Sequence, residues 1–179
     1  MNFDKKYDFE SWESDYELYD KEDWVGLLKL RETDAKKHPS DLYAQQRYAE
    51  ALTPNKKYKE TLEIITPFYR ENYEVGFGIC EILDALYGLD KTEEDFNWVK
   101  KPIVLKLDSA TVDFCVDLLR KRRRAVQVSE IYGDLIMKAD YCKFNESELA
   151  KFLVRFSDVF DIQLDKNFIM DSKLKVKRR

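Results

Sequence analysis

LYAQQRYAEALTPNKKYKETLEIITPFY, residues 42–69, decides how this chain is read. Leu42, Tyr48, Ala49 and Leu52 keep helical spacing, and Thr53-Pro54-Asn55 then stops the helix. From Tyr58 a second stripe follows, with Leu62, Ile65 and Tyr69 at i+4, i+7 and i+11. That periodicity puts the four on one helical face, turned toward the first helix. The stretch reads as an antiparallel helix pair. Pro67 lies inside the second stripe, where it deletes an intrahelical bond, and predicts a kink over Ile64–Pro67.

Sliding the chain by 34 residues brings Trp24 onto Tyr58, Leu28 onto Leu62, and Pro39 onto the second helix end at Tyr73. The same step carries Tyr48, Ala49 and Leu52 onto Ile82, Leu83 and Leu86, apolar at all three places. A fixed step of this size marks stacked helix pairs, each unable to bury its apolar face alone. The third pair turns at Gly88-Leu89-Asp90. Thr92 with Asp95 then resembles a capping arrangement ahead of a short second helix holding Phe96 and Trp98–Val99. Backwards from residue 42, Trp24, Leu27, Leu28 and Leu30 fit the second helix of an earlier pair. Its first helix is degenerate, because Ser11, Ser14 and Asp15 stand where apolar groups are needed.

Over roughly Asp20 to Val99 these residues resemble tetratricopeptide repeats: an aromatic opens the second helix (Trp24, Tyr58), Pro39 closes a unit, and small Ala49 packs between helices. Leu27, Thr61 and Leu83 depart from the pattern at its small positions. The resemblance implies a concave groove lined by the first helix of each pair. That places Tyr43, Gln46, Arg47 and Glu50 on it, followed by Phe77, Cys80, Glu81 and Asp84. Either these positions face a protein partner, or they pack against the next repeat and solvent.

Charge divides the chain. Residues 1–99 carry 13 Lys/Arg against 23 Asp/Glu, and residues 100–179 carry 18 against 12. The sign changes at Lys100-Lys101-Pro102, where the pattern also changes. The expected organisation is an acidic aromatic segment over 1–19, a helical-repeat domain over 20–100, and a second domain over 101–179.

In that second domain Asp108 or Ser109 caps a helix with Val112, Cys115, Val116 and Leu119, ending in Arg120-Lys121-Arg122-Arg123-Arg124. Val126 and Val128 are extended. Ser129 opens a second helix with Ile131, Leu135 and Ile136, and an Asn145/Glu148 capping box opens a third with Leu149, Phe152, Leu153 and Phe156. Phe160, Ile162 and Leu164 then alternate with polar residues, Lys166-Asn167 turns, and Phe168-Ile169-Met170 returns. Three helices followed by a hairpin resemble a winged helix over about Ile103 to Val176. The fold class expected overall is mostly α, with tetratricopeptide-like pairs ahead of a winged-helix-like α+β module.

The winged-helix resemblance implies nucleic-acid contact through the third helix, with Lys151 and Arg155 on it. Arg122, Arg123 and Arg124 and the basic tail, Lys173, Lys175, Lys177, Arg178 and Arg179, would lie on phosphates. Glu146, Ser147 and Glu148 at the start of that helix oppose such contact. The arginine run reads equally as a solvated, dipole-matched helix end. The acidic stretch from Asp4 to Asp23, nine Asp/Glu against three Lys, could instead cover the basic module. Within it Trp12, Tyr16 and Tyr19 lie at i, i+4 and i+7, the spacing of a helix packed on the first repeat, or of aromatic anchors for docking.

Met1 to Tyr7 holds no apolar leader core and no run has the length of a membrane span, so a cytoplasmic chain without membrane contact is expected. Cys80, Cys115 and Cys142 are odd in number and widely spaced, as reduced packing residues are. His38 is the one histidine, and no glycine-rich phosphate loop, nucleophile elbow or metal-ligand spacing occurs. The sequence therefore points to a non-enzymatic interaction protein without cofactor or metal. A protein is its first expected partner and nucleic acid or an acidic protein its second; a purely protein-binding adaptor is the alternative.

Overall fold

A computed structural model describes residues 9–122, 124–164 and 174–178, and the side chains of residues 14–122 and 124–161. The chain divides into two compact units, Met1–Lys100 and Lys101–Arg179. It is mostly helical with a small sheet.

The first unit runs α1 (Phe9–Asp20), α2 (Trp24–Lys37), α3 (Leu42–Leu52), α4 (Tyr58–Asn72) and α5 (Ile79–Gly88), with single 3-10 turns at Tyr73–Val75 and Glu93–Asp95. Each helix packs on the next, and α3 also meets α5. Asp23 opens α2 by accepting from Gly26 N at 2.9 Å, and Asp41 opens α3 by accepting from Tyr43 N at 2.9 Å. These carboxylates satisfy amides that have no partner within the helix. Ala49, Leu52, Ile65, Tyr69, Ile82, Leu83 and Leu86 form the interior. Burying such a side chain contributes about 1.5–3 kcal/mol. Gly78 sits at φ 76° against Ile65, where a Cβ would come within 2.8 Å of Cγ1, so no other residue fits the entry to α5.

Two expectations change here, at Gly76–Gly78 and after Thr92. α4 continues through Pro67 to Asn72. Pro67 and Glu63 are both exposed, so the carbonyl that loses its partner reaches water. Gly76 and Gly78 form a left-handed turn before α5 rather than part of a helix, which leaves Phe77 in that turn. The Thr92/Asp95 capping box is present but closes one 3-10 turn only. Phe96 is extended there because both Phe96 and Trp98, two residues apart, meet the Tyr69 ring edge to face at centroid distances of 6.0 and 5.5 Å. The Tyr69 hydroxyl accepts from Val99 N at 3.1 Å, which fixes this strap in place of a second helix.

The second unit runs β1 (Val104–Leu105), α6 (Ser109–Arg122), β2 (Val126–Gln127), α7 (Val128–Ile136), β3 (Tyr141–Cys142), α8 (Glu146–Val154), β4 (Phe160–Leu164) and β5 (Leu174–Arg178). β1 pairs with β3 in parallel, and an antiparallel sheet has the order β2-β5-β4. Its register puts Val176 opposite both Val126 and Ile162. Val112, Cys115, Leu119, Ile131, Leu135, Leu149, Leu153 and Phe160 make one apolar core. Asp108 caps α6, accepting from Thr111 N at 3.2 Å, and the Asn145/Glu148 box closes with both bonds at 2.9 Å.

α7 starts at Val128, with Gln127 rather than Ser129 in the capping position, because Glu130 reaches back to Gln127 N. Ile136 is exposed rather than core. The strand returning to β4 is Leu174–Arg178, whereas Phe168–Met170 lies outside the described residues.

Candidate functional site

Beneath the surface of the first unit runs a seam of charge. Asp15 on α1 is 7% exposed and takes hydrogen bonds from two arginines: Arg31 on α2 through Nε at 3.2 Å and Nη2 at 3.0 Å, and Arg47 on α3 through Nη2 at 2.6 Å. Arg31 also donates through Nη1 to the Arg47 carbonyl at 3.0 Å and to Glu50 Oε2 at 2.6 Å. Burial pulls the Arg31 pKa down, but hydrogen bonding and charge from Asp15, then Glu50, more than reverse it. The guanidinium stays charged inside because its fork is filled by carboxylates and a carbonyl.

The seam continues to α5, where Gln46 Nε2 donates to Glu81 Oε1 at 2.8 Å. Glu81 Oε2 is buried and has no hydrogen-bond partner. Burial therefore raises the Glu81 pKa above its ordinary 4.5; the Gln46 bond opposes the rise, and Glu50 and Asp84 add to it. Of the groove residues expected from sequence, the structure thus sets Arg47 and the exposed Glu50 on the Asp15–Arg31 cluster and pairs Gln46 with Glu81. Tyr43 is 58% exposed on α3, Asp84 is half-buried on α5, and Phe77 is half-buried in the glycine turn.

In the second unit the arginine run is largely engaged. Arg122 Nη2 reaches Asp134 at 2.7 Å and Arg124 Nη2 reaches Glu130 at 2.6 Å, both carboxylates lying on α7. Arg124 holds the Glu130 carboxyl below its usual range. Lys151 and Arg155 are exposed, four residues apart on the outer side of α8 and beyond it, with half-exposed Val154 beside them. Lys175 and Lys177 fall two apart on β5, with Gln127 opposite the first and Asp161 opposite the second. Arg123 and Lys173 lie outside the described residues.

Groups suited to catalysis are few among the described residues. His38 caps the end of α2, with Nε2 at 3.9 Å from Asp34. Cys115 is pushed up to about 12 by burial, which keeps it a thiol. No group of three His, Cys, Asp or Glu among the described residues could hold a metal ion, and no described helix is long and apolar enough to cross a membrane.

Sequence reasoning missed the Asp15–Arg31–Arg47 cluster and assigned α1 an aromatic stripe instead. Tyr16 and Tyr19 are 63% and 56% exposed, and the buried position is Asp15, just before Tyr16. The signal was present: Asp15 broke the apolar pattern, and Arg31 and Arg47 follow it at successive steps of 16 residues. No protein family, curated protein or solved structure matches this chain.

Proposed function

We propose that this is a non-enzymatic interaction protein: a tetratricopeptide-like helical unit holds a protein partner, and a winged-helix-like unit contacts nucleic acid. The observation that carries the second half is the arrangement of three helices around a sheet of order β2-β5-β4, in which the last hairpin bears Lys175 and Lys177 while α8 leaves Lys151 and Arg155 exposed. Exposed cations on α8 and cations on a strand of the same unit are the residue types that make the phosphate contacts dominating such binding. The first half is supported by consecutive pairwise packing from α1 to α5 and the contact of α3 with α5.

A second reading, a purely protein-binding adaptor, draws support from the Arg122–Asp134 and Arg124–Glu130 pairs, which neutralise the cations that phosphate would need. Fluorescence anisotropy of labelled duplex DNA and single-stranded RNA, titrated with the full chain at two salt concentrations, separates the two. Binding that falls steeply with salt and weakens in a Lys151→Ala/Arg155→Ala variant supports nucleic-acid contact. Absence of binding at low salt removes it and leaves the adaptor.

A further inference from the structure

α1 is joined to α2 by only three residues, Lys21–Asp23, and this connection is closed in an unusual way. Glu22 N donates to Tyr19 O at 3.0 Å and Asp23 N to Leu18 O at 2.9 Å, the bond pattern that ends a helix with a left-handed residue. That residue is Glu22, at φ 53°. Glycine takes this conformation freely, whereas a side chain with a Cβ is penalised in it. Lys21 and Glu22 are also good helix formers, so the same residues favour one unbroken helix from Phe9 to Lys37.

On the far side of this hinge, the described side chains of α1 bury little apolar surface. Among them, Ser14 to Asp20, the single buried one is Asp15, and Leu18 is half-buried against Gly26. Among these described residues, the buried group that α1 supplies is the Asp15 carboxylate in the Arg31–Arg47 socket. Around the hinge, Tyr16 and Val25 stay exposed at 63% and 57%, and Tyr19, 56% exposed, meets the Trp24 ring edge-on at 5.3 Å. Lys56 takes the same left-handed conformation between α3 and α4, but those helices bury Ala49, Leu52, Ile65 and Tyr69 and cannot part cheaply.

We propose that two copies of this chain dimerise by exchanging α1. In each copy the hinge at Glu22 straightens, α1 and α2 become one helix, and Asp15 enters the Arg31–Arg47 socket of the other copy. The bonds from Arg31 and Arg47 to Asp15 are remade between copies. The left-handed strain is released twice, and Tyr16, Tyr19 and Val25 come together where the two long helices cross. Against this stands the loss of the Asp23 cap on α2, which keeps the monomer competitive. A strained short hinge joining a terminal element is the setting in which such exchange occurs.

The test is light scattering after size-exclusion chromatography of the full chain, refolded from denaturant at low and high protein concentration. The expected result is a dimer that forms on refolding at high concentration. Glu22→Ile should favour it and Glu22→Gly should weaken it, the latter by roughly tenfold or more per hinge. Inserting four flexible residues after Lys21 gives α1 the slack to fold back, and should return the chain to monomer. If Glu22→Ile loses helix content by circular dichroism, Glu22→Ala, which also disfavours the left-handed turn, carries that arm. The proposal is overturned if wild type and a folded Glu22→Ile or Glu22→Ala variant stay monomeric at every concentration. A dimer insensitive to both Glu22→Gly and the insertion overturns it as well, because the copies then meet through another surface.

Discussion

In the helical unit Asp15, Arg31 and Arg47 meet below the surface, while in the C-terminal unit the core around Ile131, Leu149 and Leu153 is apolar and its arginines pair with α7 from outside. The same residue types at helical spacing thus do different work in the two units. A buried pair must satisfy each charge or forfeit its solvation, so it fixes which helices meet and in what register. An exposed pair is screened by water and contributes little. A charge in a helical pattern gives its environment away only when its partners on other helices are known.

The sharpest way to break this contrast is Arg31→Ala, which takes from the buried Asp15 one of its two arginines, leaves it on Arg47, and should cost up to about 3–5 kcal/mol. Denaturant unfolding followed by tryptophan fluorescence reads the first unit alone, because Trp12, Trp24 and Trp98 all precede residue 100. A loss below about 1 kcal/mol would mean that the seam behaves as surface charge does. Leu153→Ala, at 0% exposure, should cost about 2–5 kcal/mol and lower hydrogen-exchange protection in α8 and β4. The tryptophan transition should stay unmoved.

Glu81 gives a smaller effect with a defined sign. Its folded pKa is raised, so the folded state holds its proton more tightly than the unfolded chain. That stabilisation is complete below the ordinary 4.5 and is lost as pH rises through the folded value. Glu81→Gln keeps the shape without the titration, and its stability across that window should be flat where the wild type declines. Smallest is Arg124→Ala, whose effect on thermal unfolding should be close to the error of the measurement, because water screens the pair. Glu130, held low by Arg124, contributes above its ordinary 4.5 and loses that contribution as pH falls through the folded value, so even this small change should vanish in acid.

Repetition made the helix pairs legible. Trp24 and Tyr58 open α2 and α4, and Leu52 and Leu86 are both buried, because stacked units impose the same burial at the same step. Capping was legible where both partners are close in sequence, as at Asn145/Glu148. The strap from Phe96 to Val99 was not, since its shape is set by Tyr69, far back on α4. The strand paired with β4 is not legible either: its register joins Leu164 to Leu174, in a lysine-rich stretch, while Phe168–Met170 lies outside the described residues. At the candidate sites, side-chain type alone could not tell Arg47, held on Asp15, from an arginine offered to a partner.

The order β2-β5-β4 also has a consequence in time. β5 is the strand between the other two, yet it is the last of the three to be synthesised. Until it arrives, β2 and β4 each present open backbone edges, separated in sequence by two whole helices, with neither able to pair as it does in the finished sheet. The nascent second unit therefore passes through a stage with its helices made and its edges bare, the stage at which a stray strand from elsewhere could take the place kept for β5.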